Sequence, residues 1–227
     1  MRTLLKFASA LALLSSTTAA SAAITDTADD YLGTYTGPIN ADLDIVSADV
    51  AFDGSSYFLS ATENGAIGTT AGSLFVWGIN RGSGTPRLTL GSPSVGADIL
   101  FDSVIVMFPD GTLRVVTFPL AGAPTINQIA GGTTIIGDTL SATVPLALLG
   151  SMGFDPSDYT FALWSQARVN PAADGTNAEI ADFLTGSGSL VPRAVPEPAT
   201  WMMMLVGFGL AGMSMRSARG RKLPRTM

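Results

Sequence analysis

Between residues 57 and 168 the chain is written in short runs of β-branched, aromatic and aliphatic residues, each closed by glycine, asparagine, aspartate or proline. Runs of this length with regular turn signals are the mark of successive strands. Tyr57-Phe-Leu-Ser-Ala-Thr62 predicts a strand, and Asn64-Gly65 behind it supplies the positive φ that a type I′ hairpin turn needs. Glu63 falls in that turn. Ser73-Leu-Phe-Val-Trp-Gly-Ile79 predicts a second strand that ends in a loop over 80–86. The clearest hairpin pairs Val104–Phe108 with Leu113–Phe118 around Pro109-Asp110-Gly111, since both arms favour the pleated surface and the triplet favours a turn. Another joins Thr133–Ile136 to Thr139–Val144 across Gly137-Asp138. A last long strand covers Tyr159–Arg168, with Tyr159, Phe161 and Leu163 on one face and Trp164 on the other. Pro145–Leu149 predicts one helical turn, and Ala178–Leu184 a brief helix.

Alternating βα units, long amphipathic helices and a fixed-period repeat are missing from this series. The pattern predicts an all-β fold, an antiparallel β-sandwich over residues 24–184. Residues 185–194, rich in glycine and serine, predict a flexible linker.

The ends follow different rules. Met1-Arg-Thr-Leu-Leu-Lys6 is a basic leader, Phe7–Leu14 an apolar run, and Ala19–Ala23 a stretch of small residues. That order predicts a signal peptide over 1–23, cut after Ala22 or Ala23 by signal peptidase. Near the other end, 199–215 carries no charge. At ~1.5 Å per residue it reaches about 25 Å, enough for a thin hydrocarbon core. Gly207, Gly209 and Gly212 suit a membrane span better than a soluble helix. Arg216, Arg219, Arg221, Lys222 and Arg225 follow, and the positive-inside rule puts them in the cytoplasm with the body outside. Just before the span, Pro196 and Pro198 cannot join a helix ladder and hold Glu197 in an extended strip. Trp201 stands where an interfacial anchor belongs.

Pro196-Glu197-Pro198, Trp201, a glycine-bearing span and a basic tail, in that order over 195–225, resemble the PEP-CTERM sorting signal. That signal occurs in exported proteins of Gram-negative, exopolysaccharide-producing bacteria. The resemblance implies a precursor held in the inner membrane and recognised by exosortase, a membrane-embedded cysteine transpeptidase-like enzyme, through Pro196, Glu197, Pro198 and Trp201. Cleavage beside the motif would deliver the mature form to the cell surface or extracellular matrix. Met202 replaces the alanine common in the family, and the basic residues are more dispersed. In the body, Asp42-Leu-Asp-Ile-Val, Val50-Ala-Phe-Asp-Gly and the strands over 138–149 and 159–164 resemble DOMON-like and family-9-like carbohydrate-binding sandwiches in strand pattern alone.

Composition narrows the function. The chain has no cysteine and no histidine, which excludes disulfides, Ser-His-Asp and Cys-His nucleophile systems, and histidine-ligated metal or haem within one chain. The net charge of -6 hides a polarity. Every acidic residue but Glu197 lies within 24–196, opposed there by Arg81, Arg87, Arg114, Arg168 and Arg193 alone. A body so acidic does not bind nucleic acid. Asp26, Asp29 and Asp30, and Asp42, Asp44 and Asp49, form two clusters without EF-hand spacing. They are expected as turn and edge residues, with a Ca²⁺ site as the alternative. Trp77, Trp164, Tyr57 and Tyr159 are expected in the core, with a sugar-stacking platform as the alternative. No motif orients a base or a nucleophile.

The expectation is therefore an exported, non-enzymatic surface or matrix protein associated with exopolysaccharide, with no catalytic residue, metal ligand or cofactor. Its partners are the export machinery, exosortase and, transiently, the inner membrane. The alternatives are a carbohydrate- or Ca²⁺-binding module on the same scaffold, and a permanently anchored envelope protein.

Overall fold

The computed structural model of the chain describes residues 23–88, 95–169, 178–184, 188–195 and 203–210. In chain order these form β1 (Ile24–Thr25), β2 (Ile45–Phe52), β3 (Ser56–Glu63), β4 (Ser73–Asn80), β5 (Thr85–Pro86), β6 (Leu100–Phe101) and β7 (Ser103–Met107). They continue with β8 (Leu113–Thr117), β9 (Thr125–Ile129), β10 (Thr133–Ile136), β11 (Thr139–Pro145), β12 (Thr160–Ala167), β13 (Ile180–Phe183) and β14 (Arg193–Ala194). One sheet runs β1-β2-β3-β11-β10, with β14 added parallel to β2; the other runs β13-β12-β4-β7-β8-β9. A short β5-β6 ribbon stands apart from both.

The main core lies between the two large sheets. Val50, Tyr57, Leu59 and Val144 from the first meet Phe75, Trp77, Ile105 and Phe161 from the second. The expected antiparallel sandwich is thus present, and its strand faces follow period two. Tyr159, Phe161 and Leu163 point into this core, while Trp164 joins a smaller cluster on the outer face of the second sheet. Trp164 fits because Gly78, which pairs with Ala162, has no side chain: a Cβ there would stand 2.9 Å from the indole. Tyr57 stacks on Tyr159 with ring centroids 5.7 Å apart, and Trp77 is fully enclosed. Burying each such ring stabilises the fold by about 1.5–3 kcal/mol.

Both expected hairpins form. Met107 pairs with Leu113 across a turn in which Gly111 has φ 86°, and Ile136 pairs with Thr139 across Gly137 at φ 66°. Leu146–Leu148 makes the expected helical turn.

Three expectations fail. Asn64-Gly65 does not close a hairpin, because β3 and β4 belong to different sheets. It opens a crossover instead, tied down where Asn64 N–H and Nδ2 donate to the Asp44 carbonyl and carboxylate. Ala178–Leu184 holds β13 rather than a helix, since the free edge of β12 offers a ladder that outweighs the helix preference of a short segment. The linker over 185–194 is not free where it is described. Gly188 N–H and the Leu190 carbonyl bond to Phe161, Leu190 is buried, and β14 pairs with Ala51 and Phe52.

The signal peptide over 1–23 lies outside the described residues except for Ala23, which is exposed. Of the expected span over 199–215, residues 203–210 are described; they are helical and exposed. No helix among the described residues is long and apolar enough to cross a membrane.

Candidate functional site

Two features stand at opposite ends of β2. At its C-terminal end the last segment of the body is latched to the sheet. Arg193 Nε donates to both oxygens of Asp49, at 2.8 and 3.1 Å, and Val195 N–H donates to the Phe52 carbonyl at 2.9 Å. β1 covers Ser47 and Ala48, and β14 covers Ala51 and Phe52, so both ends of the body protect one strand edge. Val195 is the last residue fixed to the sheet before Pro196. Pro196, Glu197, Pro198 and Trp201, and the basic Arg216, Arg219, Arg221 and Lys222, lie outside the described residues.

Residues 194–222 match the family model of the PEP-CTERM protein-sorting motif. The chain carries a PEP-CTERM sorting signal. The match covers the proline, tryptophan and basic residues singled out above, up to Lys222, and begins in β14. The signal names exosortase as the processing partner and implies export and membrane anchoring of the precursor. No curated protein matches the chain, and no solved structure does.

At the other end of β2 the sandwich holds an acidic pole. Its geometry is made by two bulges. In β2 the register shifts between Ile45 and Ser47, so Glu63 pairs with Ile45 and Thr62 with Ser47, leaving Val46 extra. In β13 the register shifts against Ser165 and Gln166, so Asp182 opposes Ser165 and Ile180 opposes Gln166. Bulges re-aim side chains. Here Ile180 turns to the outer cluster, Asp182 turns inward, and Asp182 Oδ2 accepts the Ile45 N–H at 2.9 Å across the two sheets. The segment between β1 and β2 closes this end. Leu32 N–H donates to the Ala181 carbonyl, and Asp29, at φ 66°, donates its N–H to Asp44 Oδ2.

The aspartates singled out in the sequence therefore divide. Asp42 is buried and satisfied: its two oxygens take the Thr70 N–H and hydroxyl at 2.8 and 2.6 Å, which pins the crossover loop. Asp49 belongs to the latch. In the closing segment Asp26 is half-buried and Asp29 exposed. Asp30 and Asp44 come together with Asp182, each with a carboxylate oxygen within 4.8 Å of the others. Asp42 does lie in a turn, the 3-10 turn Ala41–Leu43 that Asp44 caps, but both are buried rather than at a solvated edge.

Glu63 is also misplaced by its reading as a turn residue. It ends β3, is 1% exposed, and both its carboxylate oxygens lack a hydrogen-bond partner. Asp44 is 0% exposed with Oδ1 likewise unpartnered, and Asp182 is 2% exposed. Burial raises the Glu63 carboxyl well above the usual range, and the charges of Asp182, Asp44 and Asp42 raise it further. Burial also lifts Asp182 to about 7 despite the Ile45 hydrogen bond. Tyr31, beside the cluster, is pushed up to about 12 by burial and then by Asp44, Asp29, Asp182 and Asp42.

The four aromatics weighed as a sugar platform, Trp77, Trp164, Tyr57 and Tyr159, are all buried, and the hydroxyls of Tyr57 and Tyr159 donate to the Pro156 and Leu149 carbonyls.

Proposed function

We propose that the sandwich is the exported cargo of the sorting system: a non-enzymatic surface or matrix protein that accompanies exopolysaccharide after exosortase cuts the chain at the PEP strip. The observation that carries this reading is the matched signal over 194–222 beginning where the body ends. Its PEP residues follow in the chain directly on Val195, whose N–H bonds to the Phe52 carbonyl. Pro196 and Pro198 keep a strip extended, which suits the backbone-gripping cleft of a peptide-cleaving enzyme. The apolar run after it is a transmembrane anchor in the precursor, and Arg216, Arg219, Arg221 and Lys222 are its cytoplasmic stop. Pro196, Glu197, Pro198 and Trp201 are the recognition residues.

The test is the intact mass of the C-terminus in cells with and without exosortase. Cleavage near residues 195–198 in the first and a full-length chain in the second is expected. Glu197→Gln and Pro198→Ala should leave a membrane-held precursor. An uncut tail in both strains would refute processing and leave a permanent anchor.

A further inference from the structure

The acidic pole is built of parts that a structural role does not explain. Buried carboxylates are ordinarily paired with cations or saturated with hydrogen-bond donors. Asp42 and the Arg81–Asp102 pair obey that rule. Asp44 Oδ1 and both oxygens of Glu63 do not. The neighbouring charges that raise Asp30, Glu63 and Asp182 come from Asp26, Asp30, Asp42, Asp44 and Asp182. Two bulges and a cross-sheet hydrogen bond bring these groups together.

We propose that Asp30, Asp44 and Asp182 are the carboxylate ligands of a Ca²⁺ site at this pole, with Glu63 as a buried carboxyl beside it. The donor set is oxygen only, in a chain without histidine or cysteine, which selects a hard cation. The number of carboxylates favours calcium, because Mg²⁺ keeps several waters and is usually held by one or two carboxylates, whereas Ca²⁺ takes about six to eight oxygens. The three oxygens here fall within 4.8 Å of one another, close enough to share one ion. The site has a way in, because Asp30 is exposed while Asp44 and Asp182 are buried. Asp44 is already oriented for coordination, since Asp29 N–H and Asn64 Nδ2 fix its Oδ2 at 2.8 Å each and leave Oδ1 for the ion. The ion ties the closing segment, β13 and the start of β2 into one unit.

The purified full chain, stripped with EGTA, is titrated with CaCl₂ while its thermal midpoint is followed, and separately with TbCl₃ while terbium luminescence sensitised by Tyr31 is read. A rise in midpoint with Ca²⁺, and terbium emission that Ca²⁺ displaces but equal Mg²⁺ does not, are expected. Asp30→Asn, an exposed change that leaves the fold intact, should weaken Ca²⁺ on the order of tenfold through the lost ligand charge. Asp182→Asn should abolish the response, and Asp110→Asn, at an exposed turn far along the chain, should leave it unchanged. No response of either readout to Ca²⁺ overturns the proposal, as does a response that survives both Asp30→Asn and Asp182→Asn.

Discussion

The acidic pole makes the stability of the metal-free protein depend on pH in an unusual direction. Asp182 titrates near 3.8 when unfolded and near 7 when folded. Between those values the folded chain keeps a proton that the unfolded chain has released, so stability falls as pH rises through the window. The contribution is fully present below about pH 4 and gone above about pH 7. A shift of about three units corresponds to roughly 4 kcal/mol at 1.36 kcal/mol per unit. Because the cluster opens to solvent at Asp30, screening reduces this to about 2–4 kcal/mol. Glu63 and Asp30 are raised too and add in the same direction. Asp53, Asp110 and Asp155, each lowered by local N–H donors, titrate below this window and do not mask it. Urea unfolding of the full chain in EGTA should therefore give higher stability at pH 5 than at pH 8. Asp182→Asn keeps an oxygen for the Ile45 N–H and removes the charge. It should stabilise the chain at pH 8 by about 2–4 kcal/mol and leave only the shallower slope due to Glu63 and Asp30. Higher stability of the wild type at pH 8 than at pH 5, or an unchanged slope in Asp182→Asn, would refute the reasoning.

Two further predictions concern the rest of the scaffold. Arg81 and Asp102 form a buried pair at 2.7 Å, with Asp102 also taking the Arg81 and Ser83 N–H groups and Arg81 reaching the Gly150 carbonyl; Arg81→Met should destabilise by about 3–5 kcal/mol in urea, because it strands a buried carboxylate. Arg193→Ala removes a half-exposed ion pair and should lower global stability by under about 1 kcal/mol, yet it should raise hydrogen exchange at Ala194 and Val195 well above that of β2, and unchanged exchange there would mean that the strand pairing alone makes the latch.

The sandwich was legible because its inner strands obey period two and its hairpin turns carry glycine where φ is positive. The same rule, extended one residue, would have found Glu63: Tyr57, Leu59 and Ala61 all face inward, and the next odd position is an acid. It was hidden by Asn64-Gly65, a strong hairpin signal that here marks a crossover. Asp182 was not legible in this way. The β13 bulge reverses the alternation between Ile180 and Asp182, and nothing in Ile-Ala-Asp-Phe reports a bulge, which depends on the partner strand. Convergence of Asp30, Asp44 and Asp182 spans much of the chain and exists only in the fold. The sorting signal needed no fold, since its recognition rests on local order along the chain.

The two ends of β2 give the molecule a direction. From Ile45 to Phe52 the strand rises about 23 Å. The last described bond to the sheet is at the Phe52 end, and Pro196, Glu197 and Pro198 alone separate Val195 from the apolar run that starts at Ala199. That gap reaches at most about 14 Å when fully extended. Under the proposed anchoring by that run, the latch is tethered within that reach of the apolar segment. An enzyme that needs more extended chain than three residues must first open β14, which makes the Arg193–Asp49 contact the point at which the folded body and the processing step meet. The acidic pole lies at the other end of β2 from the latch, so the proposed cation site and the processing step answer to different substitutions, Asp30 or Asp182 for the one and Arg193 for the other.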